Sequence, residues 1–388
     1  MNHEAIEPVV LFEERAAANG KRIGIATLNS PRTLNGLSLA MAELLDAKLI
    51  AWAADDAIAM VVLQGAGEKA FCAGGDLHGL YQGMQADNPG DAGAIRADSH
   101  AGRFFATEYR LDHRIHTYAK PLVCWGHGIV MGGGIGLMSG ASQRVVSERS
   151  RMAFPEITVG LYPDVGGSWL LNRVPGRAGL FLALTGAPLN AGDAIYAGMA
   201  DHFIAEAHRD AVLAALASAP WLDDAAANHA VLADVLGDFA SAAEPGPLQQ
   251  HAALVDELCA GDDLHAMVAA IAAIEADDKW LQTAKVTLAA GAPGSARLGF
   301  ELQRRARGLS LADTFRLEYI ASLHCAAHGD FAEGIRALLI DKDRNPQWNP
   351  ATLAQATPAW ADAFTVAPWA HNQHPLADLA DLQPETDA

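Results

Sequence analysis

The chain has 388 residues, 51% of them hydrophobic and 19% charged, so it is long enough for one large domain or two, and its composition excludes a mainly disordered protein. Its formal net charge is −19 at pH 7, and the sequence contains no basic block, which argues against binding to nucleic acid or to an anionic membrane. No apolar run approaches the roughly 18 residues that a membrane-spanning helix needs.

The cysteines and the first residues bear on the cellular compartment. Neither a disulfide framework nor a zinc site is signalled, because no Cys-x-x-Cys spacing links the four cysteines, Cys72, Cys124, Cys259 and Cys325. Residues 1–4 (MNHE) are acidic, whereas a secretory or transit peptide begins with basic residues. We therefore expect a cytoplasmic protein.

Strand and helix patterns alternate in the N-terminal half of the chain. Residues 22–28 (RIGIATL) and 60–63 (MVVL) are short apolar runs typical of buried strands. Between them, residues 38–55 carry apolar side chains at helical spacing, which predicts an amphipathic crossover helix. Further buried strands are predicted at residues 121–125, 144–146 and 151–154. This alternation indicates the α/β fold class.

The composition changes at about residue 205. Residues 206–290 are rich in Ala, Leu and Asp with helical periodicity, and residues 296–340 predict two or three more helices. The tail after Pro350 is rich in Ala, Asp and Pro, and we predict no regular structure there. The sequence therefore divides into residues 1–205 and a mostly helical region at 206–388 that ends in a flexible tail.

Two glycine-rich runs follow predicted strands, at residues 69–77 (KAFCAGGDL) and 126–136 (GHGIVMGGGIG). Small residues at a helix start leave backbone N–H groups uncovered. Two such turns facing one another would present two donors to a developing negative charge, as in an oxyanion hole. Considered alone, each run is more often a simple tight turn, and neither matches a nucleotide phosphate-binding loop.

Two carboxylates, Glu156 and Asp164, lie in an otherwise apolar run at residues 154–167 (FPEITVGLYPDVGG). A buried carboxylate is costly unless it has a partner, so these groups are either satisfied structurally or used in chemistry. Considered alone, Asp164 is better explained as a cap of a helix that starts near Val165.

The chain closely resembles the enoyl-CoA hydratase/isomerase (crotonase) superfamily in the order and spacing of three runs, FCAGGD, MGGG and PEITVGLYPDVGG. The resemblance implies a spiral of ββα turns followed by a C-terminal helical region. It implies an acyl-CoA substrate, whose thioester carbonyl would be held by the backbone N–H groups of Gly75 and Gly133. It also implies substrate contacts from Ala73 and from Arg32, which lies where the family often has a basic residue near the CoA moiety.

Three positions distinguish branches of this superfamily. Typical hydratases have one glutamate shortly after the GGG turn and another in the PE motif, and here these positions are Gly136 and Glu156. Eight residues after Glu156, where hydratases usually have glycine, this chain has Asp164. The pattern resembles the 3-hydroxyisobutyryl-CoA hydrolases, a thioesterase branch, and so do residues 318–319 and 329–343.

The resemblance to that branch implies hydrolysis of a short 3-hydroxyacyl-CoA, with 3-hydroxyisobutyryl-CoA of valine degradation as the best match. Glu156 would attack the thioester carbonyl or deprotonate water, and Asp164 would bind the 3-hydroxyl or help to position water. Glu108, in the run FFATEY, would contact substrate, although considered alone it is a solvated helix carboxylate. No metal or redox cofactor is implied, since CoA is part of the substrate. Related members often form trimers, so the resemblance also allows a homo-oligomer.

Alternatives stay open at this point. One is an enoyl-CoA hydratase or isomerase acting on a short-chain acyl-CoA, because the scaffold supports several reactions. Another is a non-catalytic CoA-binding or scaffold protein. His127 and Cys72 adjoin the glycine turns, and we interpret both as structural, since no paired base is evident for the thiol. The segment at 206–290 could cover the site within one chain.

Overall fold

The computed structural model describes residues 7–87 and 95–380, so the acidic residues 1–4 lie outside the described part of the chain. The strands in the described part are β1 Val10–Ala16, β2 Arg22–Leu28, β3 Ile58–Gly65, β4 Ala70–Cys72, β5 Leu122–Gly126, β6 Ile129–Met131, β7 Gln143–Val146, β8 Arg151–Ala153 and β9 His202–Phe203. All the strands predicted from the sequence are confirmed, with bounds that differ by at most two residues.

The strands form two sheets, and the chain passes back and forth between them. The larger sheet has the order β1-β2-β3-β5-β7-β9, and the smaller sheet has the order β4-β6-β8. β1 runs antiparallel to β2, and the other described pairs are parallel. Each of β3, β5 and β7 is followed by a strand of the smaller sheet and then by a helical segment. This repeat is the predicted spiral of ββα turns.

The α-helices in the described part are α1 Leu39–Ala54, α2 Leu77–Asp87, α3 His100–His116, α4 Gly133–Ser139, α5 Gly167–Leu170, α6 Ala178–Thr185, α7 Ala191–Tyr196, α8 Arg209–Ser218, α9 Ala225–Gly237, α10 Pro247–Gln250, α11 Ala252–Leu258, α12 Leu264–Ala272, α13 Lys279–Ala290, α14 Pro293–Ala306, α15 Leu311–Ala327, α16 Asp330–Ile335 and α17 Pro358–Ala363. A π-helical turn, Arg336–Ile340, extends α16. In the described residues, no helix combines the length and apolar character needed to cross a membrane.

Local sequence explains the first crossover helix. The side chain of Ser38 accepts a hydrogen bond from the N–H of Met41 and caps α1. The buried residues of α1 recur at intervals of three or four, at Met41, Leu45, Leu49 and Trp52. Because β3 is covered on both faces, as parallel strands usually are, its sequence is a continuous apolar run.

Two hydrophobic clusters hold the layers together, and each contains residues from both sides of residue 205. The larger cluster extends along the chain from Val10 to Leu379. The smaller one joins a face of the large sheet, through side chains such as Val62, to α8 and α9, through Leu216 and Leu232. The mostly helical region is therefore packed onto the α/β part over two buried surfaces.

The described part of the tail after Pro350, where the sequence predicts no regular structure, is packed against the rest of the protein. Helix α17 begins after Thr357, whose side chain caps it. Leu376 is fully buried, and the Arg110 guanidinium pairs with the Asp378 carboxylate at 2.7 Å. These contacts are tertiary, so local periodicity does not show them.

Candidate active site

A cavity of about 290 Å³ lies between the two glycine turns, α3 and the loop that follows β8. Six residues singled out in the sequence line it together: Ala73, Gly75, Glu108, Gly133, Glu156 and Asp164. Much of the remaining wall is apolar, from Leu77, Phe104, Phe105, Met131, Leu161 and Phe331. A concave, largely apolar pocket with a few convergent polar groups is the usual form of a small-molecule site.

The backbone N–H groups of Gly75 and Gly133 lie close together at one wall of the cavity. A Cβ atom built on Gly133, the first residue of α4, would lie 3.6 Å from the backbone nitrogen of Gly75. Among the described residues, neither N–H has a hydrogen-bond acceptor. The same Cβ would lie 2.4 Å from Oε1 of Glu108, so a side chain at residue 133 would require Glu108 to shift. Two free donors side by side can act as an oxyanion hole.

Glu156 lies opposite the second glycine turn, at the start of a 3₁₀ helix, Glu156–Val159. Its side chain is 5% exposed, and within the described residues its Oε2 has no hydrogen-bond partner. A Cβ atom built on Gly132 would lie 2.9 Å from its Oε1. Burial, reinforced by the negative charge of Asp164, raises the pKa of Glu156 well above its ordinary value. A buried carboxyl oxygen without a partner destabilises the fold, which is typical of a group kept for chemistry.

Asp164 is 4% exposed, and its Oδ2 accepts a hydrogen bond from the hydroxyl of Tyr109 at 2.7 Å. Burial raises its pKa to about 6, and the Tyr109 hydrogen bond opposes that rise. The helix-cap interpretation of Asp164 is wrong. The N–H groups of Gly166 and Ser168, at the start of α5, are instead bound by the carboxylate of Glu318 at 2.7 and 2.8 Å.

Glu108 projects from α3 into the cavity and is 2% exposed. The interpretation as a solvated helix carboxylate is therefore wrong. Burial is the main cause that raises its pKa well above the ordinary value, followed by the charges of Asp164 and Asp112. A raised pKa extends the pH range over which the carboxyl is protonated, and in that form it can donate a hydrogen bond to a ligand.

Asp112 is a residue of this region that the sequence analysis missed. It is fully buried, and neither carboxyl oxygen has a hydrogen-bond partner among the described residues. A Cβ atom built on Gly136 would lie 2.5 Å from Asp112 Oδ2 and 2.8 Å from Val165 Cβ. A side chain at residue 136 therefore has no room. The signal in the sequence is the four-residue spacing from Glu108, which puts both carboxyls on one face of α3.

Comparison with known proteins agrees with this architecture. The family model described as enoyl-CoA hydratase/isomerase matches residues 23–365. The chain belongs to this family. It is 36% identical over 360 residues to the mitochondrial 3-hydroxyisobutyryl-CoA hydrolase of Danio rerio, covering 91% of this chain and 88% of that protein. It is 35% identical over 347 residues to the protein of the same name in Xenopus tropicalis, covering 88% of this chain and 86% of the relative.

Among solved structures of the enoyl-CoA hydratase/isomerase fold, the chain is similar to a carnitinyl-CoA dehydratase from Mycobacterium thermoresistibile. The TM-score is 0.79 at 36% identity, and the match covers 92% of this chain and 96% of that chain. The predicted family and fold class are therefore confirmed. The relatives carry the names of two different reactions, so the choice between them depends on the residues of the site.

In this family member, Arg32 lies outside the cavity, unlike the other predicted site residues. It is exposed and lines a separate open cavity of about 390 Å³ together with Lys69 and Glu68. The two cavities adjoin along the chain, since Ala70 lines the Arg32 cavity and Ala73 lines the first one. A ligand that contacts both Arg32 and the glycine turns would have to extend along this segment.

Cys72 and His127 adjoin the glycine turns without lining the cavity. Burial raises the pKa of the Cys72 thiol to about 12, which keeps it un-ionised and a poor nucleophile. His127 Nε2 lies 2.9 Å from the carbonyl oxygen of Gly67 and so ties two turns together. The structural interpretation of both residues fits these contacts.

The C-terminal region reaches the cavity through the segment around α16. Phe331 and Leu338 line the cavity, whereas none of the lining residues comes from residues 206–290. The helical segment at 206–290 therefore does not cover the site in this structure. It includes α8 and α9, which pack on the large sheet.

The charges around the cavity are of one sign. Its neighbourhood contains five buried carboxyl groups, Glu108, Asp112, Glu156, Asp164 and Glu318. None of them takes part in an ion pair within the described part of the chain. Like charges held close together in a low-dielectric site cannot all ionise, so these groups titrate together and retain protons to higher pH than free carboxyls.

Proposed function

We propose that this protein hydrolyses 3-hydroxyisobutyryl-CoA to the free 3-hydroxy acid and CoA. The observation that carries the proposal is that Glu156 and Asp164 line one cavity together with two free backbone N–H donors. In addition, neighbouring side chains fill the space that a side chain at residue 136 would need. The hydrolase names of the two relatives, which match most of this chain, support the same reaction.

The backbone donors act on the thioester carbonyl. When a nucleophile attacks this carbonyl, negative charge develops on its oxygen, and the N–H groups of Gly75 and Gly133 stabilise that charge. The donors are fixed in place before the reaction, so no reorganisation is needed at the moment of attack. The tetrahedral centre then collapses, the C–S bond breaks, and the thiolate of CoA leaves and takes up a proton.

Glu156 supplies the nucleophile by one of two routes. In the first, its carboxylate attacks the carbonyl carbon, releases CoA and forms a mixed anhydride, which water then opens. In the second, it takes a proton from a water molecule that attacks the carbonyl directly. Both routes need the ionised form of Glu156. The unpartnered Oε2 is the oxygen free for either role.

The remaining predicted residues bind substrate in this proposal. Asp164 accepts a hydrogen bond from the 3-hydroxyl, Glu108 contacts the acyl part, and Ala73 lies beside the thioester. Arg32 contacts the CoA moiety, and the neighbouring Lys69 adds a second exposed cation in the same open cavity.

A hydratase or dehydratase is the second candidate, because the similar solved structure is named a carnitinyl-CoA dehydratase. The typical two-glutamate arrangement of a hydratase needs a glutamate at residue 136. Asp112 and Val165 occupy the space that this side chain would take. This contact favours the hydrolase.

Other predictions from the sequence stay predictions. They are a role in valine degradation, a cytoplasmic location, a homo-oligomer, and a reaction without a metal or redox cofactor. The two relatives named above are described as mitochondrial, which concerns those proteins.

An assay of the purified chain tests the proposed function. We expect it to release free thiol from 3-hydroxyisobutyryl-CoA, with less activity on 3-hydroxypropionyl-CoA and on the matching acyl-CoA without a hydroxyl. Thiol release is followed with a thiol reagent, and loss or gain of the enoyl double bond is followed by its absorbance. Interconversion of enoyl- and hydroxyacyl-CoA without thiol release would establish the hydratase instead.

The Asp164→Asn variant tests how the 3-hydroxyl is recognised. We expect kcat/KM to fall ~10–100-fold more on 3-hydroxyisobutyryl-CoA than on isobutyryl-CoA, because a hydrogen bond to a charged group contributes about 1.5–3 kcal/mol. Asp112→Asn is the matched control, since Asp112 is buried nearby but does not line the cavity. If Asp164→Asn leaves the ratio of the two substrates unchanged, Asp164 does not recognise the hydroxyl.

A further inference from the structure

Asp164 lies at one end of a buried hydrogen-bond chain that the proposed reaction does not use. The Tyr109 hydroxyl donates to Asp164 Oδ2 at 2.7 Å and lies 2.8 Å from Ser322 Oγ. Ser322 Oγ lies 2.9 Å from the hydroxyl of Tyr162, which in turn donates to the backbone carbonyl of Glu318 at 2.7 Å. Tyr109, Tyr162 and Ser322 are fully buried.

The number of hydrogens that each group can donate fixes the direction of these hydrogen bonds. Each hydroxyl has one hydrogen to donate, and an ionised carboxylate can only accept. Tyr109 uses its hydrogen on Asp164, and Tyr162 uses its hydrogen on the Glu318 carbonyl. Ser322 can therefore donate to either tyrosine oxygen. The arrangement suits an ionised Asp164 whose carboxylate is held in one orientation.

The backbone that follows Asp164 has a strained conformation. Val165 has φ 54°, a left-handed value that is uncommon for a β-branched residue, and Gly166 follows with φ 80°. Such strain persists where the surroundings fix the segment, and it clusters at functional sites. Here the carboxylate of Glu318 fixes the segment by binding the N–H groups of Gly166 and Ser168.

We propose that Tyr109 is a positioning residue for Asp164, holding its carboxylate toward the cavity so that it can accept the hydroxyl of a 3-hydroxyacyl substrate. The inference rests on the proposed function of this site. Tyr109 does not line the cavity, so it acts through Asp164 and does not touch substrate. Its specific role is to keep the carboxylate ionised and oriented where other carboxyls crowd it.

The surroundings of Asp164 make this single hydrogen bond important. The titratable groups that face it come from α3, from its own loop, from the 3₁₀ helix and from α15, namely Glu108, Tyr109, Asp112, Tyr162, Glu156, Glu318 and Cys325. All of them are neutral or negative, so no cation in this set favours the ionised form. Burial raises the pKa of Asp164, and the Tyr109 hydrogen bond is the side-chain contact that lowers it. Loss of the hydroxyl therefore raises the pKa of Asp164 above about 6.

The Tyr109→Phe variant tests the proposal through the pH dependence of kcat/KM and through substrate preference. We expect the acidic limb measured with 3-hydroxyisobutyryl-CoA to move up by about one pH unit relative to the limb measured with isobutyryl-CoA, which depends on the ionisation of Glu156 but not of Asp164. A shift of one pH unit corresponds to the loss of a moderate hydrogen bond to a charged group. We also expect the preference for 3-hydroxyisobutyryl-CoA over isobutyryl-CoA to fall by about tenfold. A purely structural role would lower activity on both substrates equally and leave the profile in place.

Tyr319→Phe is the matched control. Tyr319 is also fully buried, and its hydroxyl donates to the backbone carbonyl of Gly102 at 3.2 Å, away from the carboxyl cluster. The control should show a similar change in thermal stability with the pH profile and substrate preference of the wild type. A Tyr109→Phe variant that folds and behaves like Tyr319→Phe in both readouts overturns the proposal.

Two further measurements separate the outcomes. If Tyr109→Phe does not fold, Ser322→Ala removes the hydroxyl that contacts Tyr109 and should move the profile in the same direction by a smaller amount. An unmoved profile counts against the proposal. If the wild type releases no thiol, the proposed function fails, and a ¹³C-NMR titration of the Asp164 carboxyl, assigned with Asp164→Asn, still tests the contact. An equal titration midpoint in wild type and Tyr109→Phe would overturn the positioning role.

Discussion

The Glu156→Gln variant is expected to lose thioesterase turnover by ~10²–10⁴-fold, the usual contribution of a general base or nucleophile. The amide has nearly the same shape as the carboxyl but neither its basicity nor its nucleophilicity. Because Glu156 Oε2 has no partner among the described residues, the substitution breaks no hydrogen bond at that atom. The thermal stability of the variant should therefore equal or exceed that of the wild type, because functional groups in active sites often lower the stability of the fold.

The measurement is kcat for thiol release, with substrate binding and thermal unfolding measured on the same protein. Glu301→Gln is the matched control, since Glu301 is buried in α14, outside the cavity, and pairs with Arg304 at 2.8 Å and Arg297 at 3.5 Å. It should show the opposite pattern, with lower stability and unchanged turnover. If Glu156→Gln turns over within a few-fold of wild type, Glu156 is not the catalytic carboxylate.

The Gly133→Pro variant is expected to lose ~10²–10³-fold in kcat, the loss typical of removing one oxyanion-hole donor. Proline has no N–H, and it is well tolerated at the first position of a helix, where Gly133 lies. The new side chain also approaches Glu108, whose Oε1 would lie 2.4 Å from a Cβ atom at residue 133. The loss of activity therefore has two sources, which a second variant separates.

Gly133→Ala is that second variant, because it brings the same contact with Glu108 and keeps the N–H. We expect it to be at least tenfold more active than Gly133→Pro, since the donor N–H remains. The comparison uses kcat together with the midpoint of thermal unfolding for both proteins. Equal activity of the two variants would assign the loss to the crowding of Glu108 and would remove Gly133 N–H from the mechanism.

Local patterns were sufficient for the elements that position the site. Apolar runs predicted the parallel strands, because strands buried on both faces carry apolar side chains continuously. Helical spacing of apolar residues predicted α1, and the structure shows that Ser38 caps it. The two glycine turns and the PE motif, on which the resemblance rests, lie around one cavity. These features are encoded within short stretches of the chain, so a sequence displays them directly.

By itself, the sequence determined the family, because short motifs carry the resemblance, and that resemblance implied the spiral of ββα turns and six of the residues that line the cavity. The tertiary structure decided which groups share a buried space. In it, Asp112 packs against Gly136, and Glu318 instead of Asp164 caps α5. The hydroxyl of Tyr109 donates a hydrogen bond to Asp164. Each of these contacts joins residues that are distant in the chain, and burial and hydrogen-bond partners depend on packing between elements, which one-dimensional patterns do not contain.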